Sequence, residues 1–526
     1  MGLPAPKIAV ARPASSVVLT RRGARGLEVF WVRRGQQLKF AGGFFAFAGG
    51  RVDAADALLP MDGAEGLGDE ERACLAAALR ELFEETGALA VPGAERVLEA
   101  ERRAVRHELT AREGKEAKAP PPGEPLFSKM LSAHGLRADA RSLLPAGRWI
   151  TPPSVPTRFD TRFYLVALPA NESAEVWPGE LAGGEWITPK AALARWDDGS
   201  ALLHPPAWHT LKCLAEGTPS GDPRDALPWL QEPSRAPWAE ALPIKDFIVQ
   251  RMEFQRGVLI FPLRTPTLPP ATHTNTLLLG DDRLAVVDPG SPWPEEQALL
   301  ESELLRLAAL GRRAVEIVLT HYHLDHVAGA MPLSARLGIP IAAHQATADR
   351  LRGEVRIDRL IADEEPLPYG PRGWRALHLP GHTLGHLCFI EGGSGAVVAG
   401  DLVAGGSTVV IDPPEGDMAD YLRSLDRLLA LSPRTLYPAH GQVVPAGAGL
   451  LNGYVAHRLE REGKVAAALA AHAPHGPALP SQLVPLAYAE ISPELYPLAE
   501  RSLLAHLLKL VQDGRASEAS GRFAAR

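Results

Sequence analysis

The chain has 526 residues, of which 46% are hydrophobic, and its formal net charge is −7 at pH 7. This length is too great for one core and predicts two to four domains, while the charge gives no general reason to bind nucleic acid or an anionic membrane. The three cysteines lie far apart in the sequence, which argues against a disulfide scaffold. The sequence has no apolar run of membrane-spanning length and no apolar N-terminal signal region. These features argue against a membrane protein and predict a cytoplasmic location.

The front of the chain predicts two strands followed by a long helix. The β-branched and aromatic stretches Ser15–Thr20 and Leu27–Val32 are typical of strands, and the segment RRGARG between them is typical of a turn. Asp69–Thr86 has good helix formers and acidic residues at its start, and Gly87 follows as a stop signal.

Three carboxylates share one face of this predicted helix. Glu81, Glu84 and Glu85 stand at i, i+3 and i+4. Such crowded carboxylates repel one another unless a cation or a basic partner is present, and hard oxygen ligands suit Mg²⁺ or Mn²⁺. The alternative is a solvated acidic face on a surface helix.

The order RELFEETG resembles the core of the Nudix box, and Gly50 in AGGRVD is similar to the leading glycine of that box. The resemblance implies an α/β/α sandwich that cleaves diphosphates, with Glu81, Glu84 and Glu85 as metal ligands or base and Arg80 orienting the carboxylates. The match departs from the family in an insertion within Arg51–Asp69 and in Arg72, which stands where the box expects a glutamate.

Two downstream segments extend this resemblance. Pro156–Tyr164 and Gly184–Pro189 are similar to a Nudix subgroup that includes coenzyme-A diphosphatases. Arg158 and Arg162 are candidates for contact with substrate phosphates, or else ordinary strand residues. After this domain, residues 216–243 are rich in Pro, Gly, Ser and charge and predict an extended linker.

The segment THYHLDHVAG follows the strand-like stretch Val315–Leu319 and holds four residues of metal-ligand type. The period of two along a strand places His321 and His323 on one side, while Asp325 and His326 begin the next helix and face a second point. This arrangement suits two metal ions better than one; the alternative is a polar loop that happens to be rich in histidine.

Three further ligand-type residues follow short apolar runs. His382 lies in LPGHTLGH, Asp401 in VVAGD and His440 in LYPAHG. Residues at strand ends form a site on loops that a rigid sheet supports. Imidazole and carboxylate suit Zn²⁺, and catalytic zinc sites keep one position open for water.

With these residues the sequence resembles the metallo-β-lactamase superfamily over about residues 244–447. The resemblance implies an αββα sandwich that performs di-zinc hydrolysis, with Asp325 also among the catalytic residues. Asp288 is expected to support a loop, and His386 to support a neighbouring ligand. The implied ligands are His321, His323 and His382 for one Zn²⁺, Asp325, His326 and His440 for the other, and Asp401 as a bridge.

The C-terminal stretch predicts amphipathic helices over 448–515, arranged as a helical cap or a winged helix, and a frayed tail over 516–526. These helices are similar to the tail of the β-lactamase-like protein 2 group, which includes endoribonucleases. That similarity implies RNA among the candidate substrates, although the tail is close to charge-balanced.

The combined prediction is an α/β multi-domain chain. It comprises a Nudix-like domain over 1–215, a linker over 216–243, a metallo-β-lactamase-fold domain over 244–447 and the C-terminal helical segment. The predicted substrates are small molecules such as coenzyme-A or nucleotide derivatives, cleaved at a thioester or ester and at a diphosphate. The alternative is an endoribonuclease whose Nudix domain hydrolyses nucleotides or senses a ligand.

Overall fold

The structure is a computed structural model that describes residues 9–38, 41–111, 125–153, 155, 157–177, 180–249, 252–406 and 408–526. The chain divides into two compact units, Met1–Arg256 and Gly257–Arg526, which we call the front unit and the rear unit.

The front unit is built on a mixed sheet with strand order β3-β2-β1-β8-β7, in which β4 also pairs with β1 and β9 with β2. Its strands are β1 (Arg12–Gly23), β2 (Gly26–Arg34), β3 (Phe45–Ala46), β4 (Ala48–Arg51), β5 (Met61–Asp62), β6 (Ala138–Asp139), β7 (Leu144–Ile150), β8 (Phe159–Ala167), β9 (Leu181–Ile187), β10 (Ile244–Lys245), β11 (Ile248–Val249) and β12 (Met252–Gln255). Its helices are α1 (Asp69–Thr86), α2 (Glu99–Thr110), α3 (Leu126–Ala133), α4 (Pro189–Asp197), α5 (Pro205–Glu216) and α6 (Leu227–Gln231).

Alternation along the central strands gives this sheet two buried faces. Val17 and Leu19 of β1 pack with α1 and α3, whereas Val18, between them, packs with α4 and α5 on the other side. The front unit is therefore layered helix–sheet–helix, as predicted. Helix α1 has the predicted bounds and ends at Gly87, whose φ of 72° places it in the left-handed region.

The prediction of an extended linker over 216–243 was wrong. Helix α6 and short 3-10 turns occupy this segment, and Leu230, Trp238 and Leu242 are buried in the second core of the front unit. The prolines and glycines mark tight turns, while the apolar residues between them pack inward, a distinction that composition does not show. Val249 joins the same core, so the compact units divide after Arg256 rather than at 244.

The rear unit contains two larger sheets with helices packed on them and a two-stranded sheet at its end. Within this unit the strands of the first large sheet follow the order β13-β14-β15-β16-β17-β18 and those of the second the order β19-β20-β21-β22-β23. The strands are β13 (Val258–Arg264), β14 (His273–Leu279), β15 (Arg283–Val287), β16 (Arg313–Val318), β17 (Ile341–Ala343), β18 (Arg359–Leu360), β19 (Pro366–Leu367), β20 (Trp374–His378), β21 (Leu387–Glu391), β22 (Ala396–Gly400), β23 (Thr435–Pro438), β24 (Ala516–Ala519) and β25 (Arg522–Ala525). The helices are α7 (Pro294–Ala309), α8 (Leu324–Val327), α9 (Ala330–Leu337), α10 (Gln345–Arg350), α11 (Met418–Ala430), α12 (Gly447–His472), α13 (Pro480–Ala487) and α14 (Tyr496–Gln512).

Each sheet of the rear unit buries one face against helices. Residues from β15 and β16 share a core with α7 and α9, and residues from β20, β21 and β22 share another core with α11 and α12. Parallel pairing of β15 with β16 and of β22 with β23 brings the carboxyl ends of neighbouring strands together. This edge carries the residues that the sequence singles out.

The expectation of a frayed tail over 516–526 was also wrong. Strands β24 and β25 form an antiparallel hairpin, and Phe523 is buried in a core formed with α12, α13 and α14. Ala478 and Phe523 exchange two backbone hydrogen bonds of 2.8 Å. One apolar anchor, Phe523, thus orders a stretch whose small, polar composition resembles that of a loose end.

All three cysteines, Cys74, Cys213 and Cys388, are buried and unpaired. Among the described helices, none has the length and hydropathy needed to cross a bilayer.

A histidine in the C-terminal core gives this unit a pH-dependent stability. His506 of α14 is fully buried, and neither ring nitrogen has a hydrogen-bond partner in the described part of the chain. Burial, together with the nearby cations Arg458, Arg461 and Lys509, lowers the pKa of His506 to about 3. In the unfolded chain the imidazole has a pKa of about 6.5. The unfolded state therefore binds more protons between these values, and stability falls as the pH drops through that window.

We predict that His506→Gln reduces the loss of stability between pH 7.5 and pH 5.0. Protonation of the unfolded imidazole costs the folded state about 2 kcal/mol at pH 5.0, and glutamine does not titrate there. Urea unfolding followed by circular dichroism at both pH values measures the difference. His475→Gln is the control, because His475 is exposed. Equal pH dependence in wild type and His506→Gln would contradict the prediction.

Candidate active site

The ligand-type residues of the rear unit follow the carboxyl ends of strands from both sheets. Helix α8 begins directly after His323, a few residues beyond the end of β16. Asp401 is the first residue after β22, and His440 lies two residues after β23. The loop after β20 supplies His382. Residues far apart in sequence therefore meet on loops at one edge.

The first cluster consists of three histidines and a carboxylate. His323 Nδ1 lies 2.9 Å from His321 Nε2 and 3.1 Å from His382 Nε2. Asp401 Oδ2 lies 3.7 Å from His382 Nε2 and 4.0 Å from His321 Nε2. The four donor atoms lie within 4.8 Å of one another, so a single cation placed among them is within reach of all four.

The second cluster consists of Asp325, His326 and His440 and lies beside the same Asp401 carboxylate. His440 Nε2 lies 3.3 Å from Asp325 Oδ2 and 3.5 Å from Asp401 Oδ1. His326 Nε2 lies 3.6 Å from Asp401 Oδ2 and 3.9 Å from Asp325 Oδ2. Asp401 therefore lies close to the donor atoms of both clusters. The structure brings all seven predicted residues together.

In four of these histidines, the Nδ1 atom forms a hydrogen bond with a residue that is not part of either cluster. These hydrogen bonds fix the orientation of each imidazole and leave Nε2 directed into the cluster. The pairs are His321 Nδ1 with Thr320 Oγ1 at 3.0 Å, His326 Nδ1 with Asp288 Oδ2 at 2.8 Å, His382 Nδ1 with the Val410 carbonyl at 2.9 Å, and His440 Nδ1 with the His273 carbonyl at 2.9 Å. Nothing in the sequence marks the two carbonyls, because every residue has one.

Asp288 supports this edge rather than facing its centre. Its Oδ1 accepts a hydrogen bond from the Thr320 backbone N–H at 2.8 Å. Its Oδ2 accepts from the Thr320 hydroxyl at 2.6 Å and pairs with His326 Nδ1. Asp288 can also be grouped with His321 and His326 as a metal-type cluster. Since both carboxylate oxygens are already hydrogen-bonded, we assign it the supporting role that the sequence indicated.

His386 holds Asp401 from behind. Its Nε2 accepts a hydrogen bond from the Asp401 backbone N–H at 3.0 Å, which leaves the ring proton on Nδ1, 3.9 Å from Cys388 Sγ. A side chain at Gly400 would lie 2.8 Å from His386 Nε2, so glycine is required there. His386 is thus one layer outside the two clusters, where the sequence placed it.

The histidines of the two clusters differ in the direction of their pKa shifts. Burial, with the neighbouring imidazoles, lowers the pKa of His321 well below its ordinary value and that of His323 to about 4. Burial also opposes the charged form of His326, but the carboxylates of Asp401 and Asp288 outweigh it and raise its pKa well above the ordinary value. The first cluster thus offers neutral nitrogens, whereas the second concentrates negative charge that a cation would neutralise.

The donor set fits divalent metal ions. Nitrogen and carboxylate ligands in two adjoining groups suit Zn²⁺ and similar ions. His326 Nε2 is buried and has no hydrogen-bond partner among the described residues. An inward-directed imidazole nitrogen without such a partner is the arrangement that a metal ligand requires.

The front unit holds a different charged cluster around Arg80, whose side chain is 11% exposed. Arg80 Nε donates to Asp56 Oδ1 at 2.7 Å, and Nη1 donates to Glu81 Oε1 at 2.8 Å and to Glu84 Oε2 at 3.2 Å. Burial raises the pKa of Glu81, and the nearby Arg80 only partly opposes this effect. Sequence reasoning missed Asp56, because it lies within the insertion that interrupts the motif.

Glycines of β4 complete this cluster. Glu85 Oε2 accepts a hydrogen bond from the Gly49 backbone N–H at 2.8 Å, and a side chain at Gly50 would lie 2.4 Å from Glu81 Oε1. Close approach of the strand to α1 therefore requires these small residues. Among the described residues, the carboxylates of α1 do not form a group of three donors within 4.8 Å.

Comparison with known proteins covers mainly the rear unit. Residues 269–440 match the family model described as the metallo-beta-lactamase superfamily, and residues 480–523 match the beta-lactamase associated winged helix domain. The second match covers α13 and α14 and reaches into the hairpin β24–β25, so the C-terminal segment has the winged-helix arrangement that was predicted as an alternative to a helical cap.

Several curated proteins are similar to this chain. The beta-lactamase-like protein 2 homolog of Drosophila melanogaster is 26% identical over 46% of this chain and 83% of its own length. Lactamase-like protein vrtG of Penicillium aethiopicum is 31% identical over 44% of this chain and 70% of its own length. A hydroxyacylglutathione hydrolase of Acidiphilium cryptum is 38% identical over 24% of this chain and 50% of its own length.

Among solved structures, a NUDIX hydrolase from Alicyclobacillus acidocaldarius is 30% identical, with a TM-score of 0.33. The aligned part covers 39% of this chain and 91% of the chain in that structure.

We predict that Asp288→Asn weakens the binding of Zn²⁺ or Co²⁺ by about 10–100-fold, the usual effect of losing a partner that orients metal ligands. An amide cannot accept from Thr320 and His326 as the carboxylate does. Isothermal titration of metal-stripped protein measures the affinity. Asp282→Asn is the matched control, because Asp282 is exposed. An affinity equal to wild type in Asp288→Asn would contradict the supporting role.

Proposed function

Because the chain belongs, through its rear unit, to the metallo-β-lactamase superfamily, we propose that this unit is a di-zinc hydrolase of small-molecule esters or thioesters. His321, His323 and His382 would hold one Zn²⁺, and Asp325, His326 and His440 the other. The observation that carries the proposal is the position of Asp401, whose carboxylate oxygens lie 3.5–3.7 Å from histidine nitrogens of both clusters.

The chain's own residues supply position and proton handling in this proposal. When bound, the metal ions would acidify the attacking water and polarise the scissile carbonyl group. Asp325, whose side chain is 16% exposed, would orient that water and accept its proton. His386 and Asp288 would keep the surrounding groups in place, since each contacts a proposed ligand residue from outside.

Two exposed leucines that are neighbours of the proposed ligands in the sequence favour a substrate with an apolar acyl group. Leu324, between His323 and Asp325, is 62% exposed, and Leu384, two residues after His382, is 55% exposed. Exposed leucines beside polar ligands would contact an acyl chain more favourably than a phosphodiester backbone. One similar protein is named a hydroxyacylglutathione hydrolase, which supports a thioester among the candidate substrates.

We also propose that the front unit is a Nudix diphosphatase. Glu81, Glu84 and Glu85 would hold Mg²⁺ or Mn²⁺, and Arg80 would orient their carboxylates. Supporting this, one buried arginine lies among several carboxylates, a local excess of negative charge that a divalent cation would offset. A chain with both activities would act on an acyl-coenzyme-A type of substrate, which contains a thioester and a diphosphate.

We predict that full-length protein incubated with an acyl-coenzyme A, Zn²⁺ and Mg²⁺ releases two kinds of product. Free coenzyme A reports the rear site, and a 3′,5′-ADP fragment reports the front site; both are measured by mass spectrometry. His323→Ala should reduce thioester cleavage by about 100-fold or more while leaving the diphosphate products unchanged. Glu85→Gln should give the reverse pattern, so each variant is the control for the other.

Three outcomes would contradict parts of this proposal. Recovery of intact acyl-coenzyme A in the presence of both metals would exclude coenzyme-A derivatives as substrates. Diphosphate cleavage that persists in a Glu81→Gln, Glu84→Gln, Glu85→Gln triple variant would leave the front unit as a ligand-sensing module. Cleavage of single-stranded RNA that is lost in His323→Ala would favour the alternative, an endoribonuclease.

A further inference from the structure

The chain after Asp401 is held by side chains from the C-terminal helices. We call residues 402–406 and 408–412 the support segment. The Tyr454 hydroxyl of α12 accepts from the Ala404 backbone N–H at 3.0 Å and donates to the Ala404 carbonyl at 3.2 Å. Arg501 Nε of α14 donates to Asp412 Oδ1 at 2.7 Å. Arg458 Nη2, also from α12, donates to the Val409 carbonyl.

Arg458 is the unusual member of this set. It is 4% exposed, and among the described residues it has no salt-bridge partner. The carboxylate one turn along its own helix, Glu462, pairs instead with Lys509 and Arg515. Arg458 Nε has no hydrogen-bond partner in the described structure, and the guanidinium lies 5.3 Å from the centre of the Tyr421 ring.

A buried cation without a counter-ion is costly, because desolvation is not repaid by an ion pair. A cation–π contact with Tyr421 offsets only part of this cost. A stability role alone is therefore a poor explanation for Arg458, since an apolar side chain of similar length would fill the same space at lower cost.

The contact of Arg458 leads directly to the first cluster. The Val409 carbonyl accepts its Nη2–H, and the carbonyl of the next residue, Val410, lies 2.9 Å from His382 Nδ1 and accepts its ring proton. His382 Nε2 is then directed at His323 Nδ1, 3.1 Å away. The guanidinium of Arg458 and the ring of His382 are therefore hydrogen-bonded to the carbonyl groups of two consecutive residues.

We propose that Arg458 is a positioning residue for His382. By holding the Val409 carbonyl it sets the position of the Val410 carbonyl, and through that hydrogen bond it sets the direction of His382 Nε2. Helix α12 is therefore part of the support of the metal centre as well as of the C-terminal core. The inference rests on the proposed function, in which His382 is a metal ligand.

The test compares Co²⁺ binding in wild type, Arg458→Met and Arg458→Lys, all full length. Co²⁺ affinity is measured by competition with a chelator, and site geometry by the visible absorption of the bound ion. We expect Arg458→Met to weaken one of two bound Co²⁺ ions by about 10–100-fold and to change its absorption band. Arg458→Lys keeps the charge but not the guanidinium geometry, so it should restore the affinity in part.

Arg461→Met is the matched control. Arg461 lies on the same helix and donates to the Ala487 carbonyl at 2.6 Å, within the winged-helix segment and away from the support segment. If Arg461→Met changes the Co²⁺ spectrum as much as Arg458→Met does, the effect is general loosening and the proposal is overturned. If Arg458→Met does not fold, Arg458→Lys carries the test, and wild-type affinity and spectrum in that folded variant would overturn the proposal.

The same experiment separates this inference from the function on which it rests. Wild type that binds no Co²⁺, or whose Co²⁺ binding is unaffected by His382→Ala, would refute the assignment of His382 as a ligand. A different result would refute only the positioning role. In that result wild type binds two Co²⁺ ions, His382→Ala binds one, and Arg458→Met has the same Co²⁺ affinity and spectrum as wild type.

Discussion

The buried carboxylate of Asp288 connects parts of the rear unit that lie far apart in the sequence. Its backbone N–H donates to the Val318 carbonyl, and its side chain accepts from Thr320 and pairs with His326. The residue adopts a positive φ of 52°, which turns the chain at the end of β15. Two residues later, a side chain at Gly290 would lie 1.7 Å from the Asp325 carbonyl oxygen, so the chain passes directly behind the metal-ligand motif.

This packing explains why the two clusters have opposite electrostatic character. His321 and His323 are buried mainly against other imidazoles, which disfavours their protonated forms. His326 meets carboxylates on several sides, which favours its protonated form despite burial. Asp401 lies between these environments, and its carboxylate is stabilised in the charged form by the histidines around it, even though burial opposes this. The site thus combines neutral imidazoles with carboxylates held in their charged form, which supports the proposal that it binds two cations.

The front unit contains a related arrangement built from different parts. Arg80 neutralises some of the surrounding carboxylates from within the same helix, so the cluster is partly self-compensating. Asp56 adds a further carboxylate from an insertion, and close contact with the glycines of β4 fixes the distance to the sheet. In the rear unit the support comes instead from other elements, including α12, whose Arg458 holds the support segment. In both units several carboxylates lie close together, so a nearby positive charge is needed to offset their negative charge.

The features that depend on local spacing could be predicted from the amino-acid sequence alone. The bounds of α1 and the sharing of one face by its glutamates follow from the helix period. The spacing within THYHLDHVAG also indicated two groups of ligand-type residues, although His321 and His323 lie in the loop after β16 and not on the strand. The remaining features arise from tertiary contacts. The burial of Trp238 and Phe523, the approach of Asp56 to Arg80, and the carbonyls of Val410 and His273 that orient two histidines all depend on contacts between distant segments. Local sequence cannot reveal them, because backbone carbonyls are the same in every residue and an apolar side chain in a loop is buried only when another element covers it.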